Sequence, residues 1–249
     1  MDGPAQALFR SLTVFVGGFT LDAVVAVASP DGDPHTALTR FEDLVHQSLV
    51  QRMPIADEPR FVILETIRAF GLEQLCKQGE LGRAQDAHAA YVLTFTEAPL
   101  ARLEAGARTM VNRAATERDN IRAAIAHCIA TGQGDAALRL AGLFAWYVQL
   151  SFHEARSWLA WALAHTAAEP SAPRALALAE LAAIHWAQGE YDQASPLAES
   201  ALAIAKSVHD LEATAHALHS LGLIANETGR LCACARDPAT GGRRLAFAG

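Results

Sequence analysis

Apolar residues recur three and four positions apart over most of this chain, and the places where that rhythm stops define its elements. Residues 5–16 (AQALFRSLTVFV) predict a first helix, closed by Gly17 and Gly18. Thr20 is a fitting N-cap for a second helix over 21–28, with Asp22 in its first turn where a negative charge suits the helix dipole. SPDGDP (29–34) reads as a turn, and Thr36 opens a third helix whose Leu38, Phe41, Leu44, Val45 and Leu49 share one face. Two short strands follow at 49–53 and 60–64, with Pro54 and Pro59 at the ends of the connection between them. A fourth helix (ETIRAFGLEQLCKQG) ends at Gly79, a natural C-terminal glycine. Three helices and a β-hairpin form the winged-helix pattern.

Beyond it the rhythm is helical throughout. Residues 80–101 predict one helix and 108–132 another, the second containing ERDNIRAAI (117–125). The segment ALALAELAAIHWAQGEYDQASPLAESALAIAKS (175–207) matches a tetratricopeptide repeat: Leu178, Leu181 and Ala182 on a first helix, Gly189 and Tyr191 at the reversal, Ala194, Ala201 and Leu202 on a second. Leu218, Leu221, Gly222 and Gly229 repeat the first helix forty residues on, and Ala155 and Ala162 stand thirty-nine residues before Ala194 and Ala201. That period exceeds the 34 residues usual for the motif, so longer helices or turns are expected. After Arg230, Pro238, Gly241 and Gly242 oppose a helix and the periodicity is lost, as in a frame-shifted or truncated end. Leu218, Leu221 and Leu223 are then expected to form a partly uncovered edge prone to self-association.

The fold expected is therefore mainly α: a winged-helix domain with a small β-hairpin over 1–80, a helical connector over 81–135, a tetratricopeptide-like superhelix over 136–230, and an irregular tail over 231–249. The 51% apolar content, rich in Ala and Leu with only 7% aromatic residues, suits helical packing. The ends and spacings show no signal peptide and no apolar run long enough to span a membrane, and Cys76, Cys128, Cys232 and Cys234 lack the CxxC spacing of a zinc site. Reduced thiols and a cytoplasmic location are expected.

Charge bears on what the winged helix does. Residues 1–85 hold seven basic and eleven acidic side chains, and on the third helix Arg40 is outweighed by Glu42 and Asp43. Phosphate attraction supplies much of a protein's affinity for DNA, so direct DNA binding by this segment is not expected. Enzyme chemistry meets only near misses. His153 and Glu154 begin an HExxH pattern that Ser157 breaks, and Glu212, His216 and His219 share a helical face where histidines most often decorate a repeat. Trp146, Trp158, Trp161 and Trp186 read as packing residues. No catalytic, cofactor-binding or metal-binding residue is assigned, and the chain is not expected to be an enzyme.

Residues 14–28 (VFVGGFTLDAVVAVA), 60–75 (RFVILETIRAFGLEQL) and 117–125, followed by the repeats, resemble the middle of bacterial signal-transduction ATPases of the AfsR and LuxR-like type, the NB-ARC or STAND class. The resemblance implies a nucleotide-binding domain upstream, held closed around ADP by the winged helix, and an inducer or partner protein sensed by the repeats. The Met-His-Asp motif of many members falls on Ile63, Leu64 and Glu65, where Leu64 replaces the histidine; Glu65 is expected to cap the fourth helix instead. Glu117, Arg118 and Asp119 are expected to form a solvated face. No Gly-Lys pair exists for a phosphate-binding loop, so ATP or ADP would belong to the absent domain and no cofactor to this chain. The function implied is that of a regulatory and protein-interaction fragment of an ATP-dependent transcriptional regulator. The alternative is a stand-alone tetratricopeptide scaffold for a protein or peptide, unrelated to transcription.

Overall fold

The computed structural model describes residues 3–28, 33–53, 59–94, 115–144 and 152–228. The chain forms two compact units, Met1–Thr166 and Ala167–Gly249. Both are built from helices, with a single two-stranded sheet among the described residues.

The first unit opens with α1 (Gly3–Leu12), α2 (Leu21–Ala28) and α3 (Pro34–His46), then β1 (Gln51–Met53), β2 (Arg60–Val62) and α4 (Glu65–Lys77). Helix α1 is shorter than its apolar rhythm predicts. Thr13 begins a turn, and Val14 and Phe15 are buried without being helical. The reason lies outside the local sequence: the Val16 N–H donates to Asn120 Oδ1 at 2.8 Å, fixing the backbone where the helix would have continued. Helix α3 starts earlier than expected. Asp33, assigned above to a turn, is its N-cap and accepts from the His35 and Thr36 N–H groups, with Pro34 as the first helical residue. Thr20 caps α2 through the Ala23 N–H, as predicted.

The strands are shorter than the sequence indicates, pairing Gln51 with Val62, Arg52 with Phe61 and Met53 with Arg60. The sheet gains a third participant instead. Phe19, directly after the glycine pair, exchanges both backbone hydrogen bonds with Phe61 at 2.9 Å. Gly18 permits this approach: its φ is +111°, and a β-carbon there would lie 3.0 Å from the Phe61 carbonyl oxygen. Around the bridge, Phe41 meets Phe61 edge-on at 4.8 Å, Phe19 lies 6.1 Å from Phe41, and Phe15 lies 5.2 Å from Phe19. This cluster joins the glycine turn, α3 and β2 in one core.

Leu64 occupies the N-cap of α4 and makes no side-chain cap. Glu65 is therefore not the N-cap residue, but its charge sits in the first turn, near the N-terminus as expected, and it forms a two-bonded pair with Arg68, at 2.8 and 2.9 Å, which holds its carboxyl below the usual range. Helix α5 (Leu81–Leu93) packs on α2 and on α6 (Arg118–Ala130), and α7 (Gly134–Phe144) and α8 (Phe152–Ala164) complete the unit. The predicted helices over 80–101 and 108–132 are thus seen where described, while residues 95–114 lie outside the described residues.

The second unit contains α9 (Ala172–Ala187), α10 (Tyr191–Ser207) and α11 (Leu211–Glu227). Ser171 and Asp210 cap α9 and α11, and Gly189, at φ +75°, makes the reversal before Tyr191 as the repeat reading predicts. Alanines run along the contact between helices. Ala175 packs with Ala205 and Ala213, Ala179 with Ala201 and Ala217, and Ala182 with Ala194, Ala198 and Ile224. The first members rise as the α10 members fall, so α9 and α10 are antiparallel and approach closely because only methyl groups separate them. The tail over 231–249, with Cys232 and Cys234, and also Trp146, lie outside the described residues.

Candidate interaction surfaces and a buried polar network

On α3, the position that reads DNA in many winged helices, the exposed side chains are His35, Thr39, Glu42, Asp43 and His46. Arg40 is half-buried, and no fully exposed lysine or arginine lies on this helix. Arg52 on β1 is exposed. Beside α3, a cleft of about 420 Å³ is lined by Ser11, Thr36, Asp33, Arg40, Glu80 and Arg83 among others; its two acids and two bases give it no net preference for an anion.

The sharpest feature of the first unit is internal. Glu117, placed by sequence reasoning on a solvated face, is only 3% exposed and pairs with Arg60, itself 4% exposed. Arg118 is exposed as expected, and Asp119 packs beside Gly17. Asn120, also buried, ties four groups together. Its oxygen accepts from the Val16 N–H and faces His88 Nε2 at 3.3 Å, while its amide donates to the Gly18 carbonyl at 2.8 Å and to Glu117 Oε2 at 2.7 Å. The network binds the glycine turn, the second strand of the wing and α5 to the start of α6. Among the described residues Arg60 Nε and Nη2 are buried without a hydrogen-bond partner, and Glu117 is the carboxylate that pairs with this guanidinium. Burial drives His88 down to about 4, against the opposing effect of its bond to Asn120, so the ring is neutral at ordinary pH.

The sequence contained a signal for this network that the charged character of the residues obscured. Glu117, Asn120, Ile121, Ala124 and Cys128 recur three and four apart and are all buried, so the two polar residues lie on the apolar face of α6. Arg60 and Phe61 are both buried on one short strand, against the usual alternation.

In the second unit, His185 meets Glu190 across the reversal at 2.5 Å, and His216 on α11 meets Glu180 on α9 at 3.1 Å. The Glu180 hydrogen bond raises the His216 pKa. His219 is exposed, and among the described residues no three metal-ligating side chains converge. Trp158 is buried, Trp186 packs against the Ala182 cluster, and Trp161 stacks on His165 at 4.1 Å, in line with a packing role. Of the predicted edge, Leu218 is 51% exposed and Leu223 half-buried, while Leu221 packs against the Ala182 cluster; Leu211, not part of that expectation, is 83% exposed. No described helix is long and apolar enough to cross a membrane.

These features define a winged-helix unit fused to further helices, together with a unit of tetratricopeptide-like helices. Comparison with known proteins agrees: residues 1–76 match the winged helix-turn-helix domain and residues 173–231 the tetratricopeptide repeat. A Mycobacterium tuberculosis protein named as a candidate HTH-type transcriptional regulator is 38% identical over 233 residues, covering 87% of this chain and 26% of its own length. A Mycobacterium bovis protein of the same description matches equally. An uncharacterized M. tuberculosis protein is 35% identical over 82 residues, 32% of this chain and 21% of that one. The chain thus spans about a quarter of the length of the regulators it matches. No solved structure matches it.

Proposed function

We propose that this chain is a regulatory and protein-interaction part of a transcriptional regulator, in which the winged helix acts as a restraint on a neighbouring domain and the repeats receive a partner. The observation that carries the reading is the outward face of α3, which presents Glu42 and Asp43 and no fully exposed lysine or arginine. Such a surface repels the phosphate backbone that a DNA-reading helix must approach. Support also comes from the relatives' description as transcriptional regulators and from the buried network, which fixes the winged helix to a helical extension. In the fuller form of the proposal the restrained domain is an ATP- or ADP-binding domain of a STAND-type parent, and the signal is an inducer or protein engaging the repeats.

Two measurements test this. Fluorescence anisotropy with a short mixed-sequence duplex at physiological salt should give no saturable binding tighter than ~1 μM, the tight end of ordinary non-specific affinity; stronger binding would return α3 to the role of DNA reader. Adding the chain to a separately produced nucleotide-binding domain of a parent regulator should slow ADP release, and an unchanged rate would remove the restraint role.

A further inference from the structure

We infer that the stripe of α11 formed by Leu211, Ala215, Leu218, Gly222 and Ala225, exposed at its first three positions and half-buried at the last two, is a docking surface for a cationic helix of a partner protein, lying antiparallel to α11. This inference rests on the reading of the repeat unit as an interaction module and specifies the surface and the partner's chemistry.

The repeat itself identifies the shape of the occupant. Forty residues separate Ala175, Leu178 and Ala182 on α9 from Ala215, Leu218 and Gly222 on α11. On α9, Ala175 packs with Ala205, Ala182 with Ala194 and Ala198, and the partly buried Leu178 against the Ala179, Ala201 and Ala217 cluster, while on α11 the counterparts Ala215 and Leu218 are exposed and Gly222 is half-buried. Among the described residues, the same surface is thus covered by an antiparallel helix in one copy and uncovered in the next. Spacings of four, three, four and three residues place the five α11 positions on one side of the helix, over about 20 Å. Helix α11 buries its other side through Ala213, Ala217, Ser220 and Ile224. A β-carbon at Gly222 would meet nothing within 4 Å, so the stripe has a notch at its centre that a small or apolar side chain can enter.

Sequence further along does not continue the alanine pattern. The positions forty residues beyond Ala194, Ala198, Ala201 and Ala205 are Cys234, Pro238, Gly241 and Leu245, which lack the ladder. Charge then selects the partner's chemistry. Residues 167–228 contain eight acidic side chains and two basic ones, and α11 carries Glu212 and Glu227 with no lysine or arginine. Asp210 and Glu212 flank the stripe at its N-terminal end. A second copy of the same surface would bring like charges together, whereas a lysine- or arginine-rich helix is attracted.

The probe is a fluorescein-labelled helical peptide that carries the α10 alanine ladder with lysine at its outward positions, and a twin with glutamate at those positions. Titrated with the full chain, the lysine peptide should bind saturably and weaken as salt rises, and the twin should bind at least ~10-fold more weakly. Leu218→Gln and, independently, Gly222→Leu should each weaken the lysine peptide at least ~10-fold while the circular dichroism spectrum stays that of the parent. Equal binding of the twins, or absence of saturable binding, would overturn the inference. A wild-type dimer in sedimentation that Leu218→Gln converts to monomer would also overturn it, by giving the stripe to a second copy. Peptide binding that survives both variants would sink this surface while leaving the repeats' interaction role standing.

Discussion

Replacing Glu117 with leucine tests the assignment of the buried network most directly. Glu117 and Arg60 are 3% and 4% exposed, so the substitution leaves a guanidinium out of water with no countercharge. Two of its nitrogens already lack partners among the described residues, where Glu117 is its ion-pair partner. Breaking a buried pair in this way typically costs about 3–5 kcal/mol. Asn120 also loses its bond to Glu117 Oε2, adding about 1 kcal/mol, but it keeps the Gly18 carbonyl and the Val16 N–H. The total, roughly 4–6 kcal/mol, is comparable to the whole stability of many domains. Because the chain has two units, one global unfolding curve would blend them, and native-state hydrogen exchange at β2 and α6 is the suitable assay. Protection there should fall by several orders of magnitude in Glu117→Leu, while α9 to α11 are unchanged. The double variant Arg60→Met/Glu117→Leu should recover most of the loss, since an apolar pair of similar volume often replaces a buried ion pair without cost. A loss below about 1 kcal/mol in the single variant, or a double variant no better than the single one, would refute the claim that charge compensation holds this junction together.

Three other outcomes are expected. In Gly71→Ala the new methyl would lie 2.3 Å from Thr13 Cγ2, so native-state hydrogen exchange in α1 and α4 should show a loss of about 1–3 kcal/mol, which Thr13→Ser relieves by removing that methyl. His88 stays neutral in the fold down to about pH 4 but takes up a proton near its ordinary 6.5 when unfolded, so the unfolded state binds more protons between those values and the first unit loses roughly 3 kcal/mol as pH falls through that window. Its His88→Asn variant should flatten that dependence, while the raised His216 acts oppositely in the second unit, its contribution present below pH 6.5 and lost as pH rises through the folded value. Ala201→Leu inserts three carbons into a fully buried site between Ala179 and Ala217 and should destabilise the repeat unit by about 1–3 kcal/mol or more, whereas Ala203→Leu at an exposed position of the same helix should stay within about 0.5 kcal/mol, both read by native-state hydrogen exchange in α9 to α11.

What could be read from the sequence follows the range of the forces involved. The hairpin, the helical repeat with its Gly189 reversal, the Thr20 cap and the Gly79 terminus depend on neighbours within a few positions, and all appear in the structure. The early end of α1, the Phe19 bridge and the burial of Glu117 depend on partners 42 to 104 residues away, such as Phe61 for Phe19 and Asn120 for Val16. A run of Glu-Arg-Asp-Asn resembles a solvated helix start when only local charge is weighed. Its periodicity with Ile121 and Ala124 was the better guide, because burial is decided by the face a residue occupies before its charge is considered. Asp33 shows the same competition on a smaller scale: its cap bonds to His35 and Thr36 overrode the Pro/Gly/Asp composition that marks a turn.

The sequence distance spanned by the Asn120 contacts also governs how this protein emerges from the ribosome. The winged-helix stretch, residues 1–76, is fully synthesised well before Glu117 and Asn120, and until they arrive Arg60 lacks the Glu117 carboxylate and the Val16 N–H and Gly18 carbonyl lack their Asn120 partner. At 5–20 residues per second the interval lasts about 2–8 seconds. During that time the nascent wing is left with an unsatisfied interior, a natural target for a holding chaperone, and a boundary drawn after residue 76 would make that temporary state permanent.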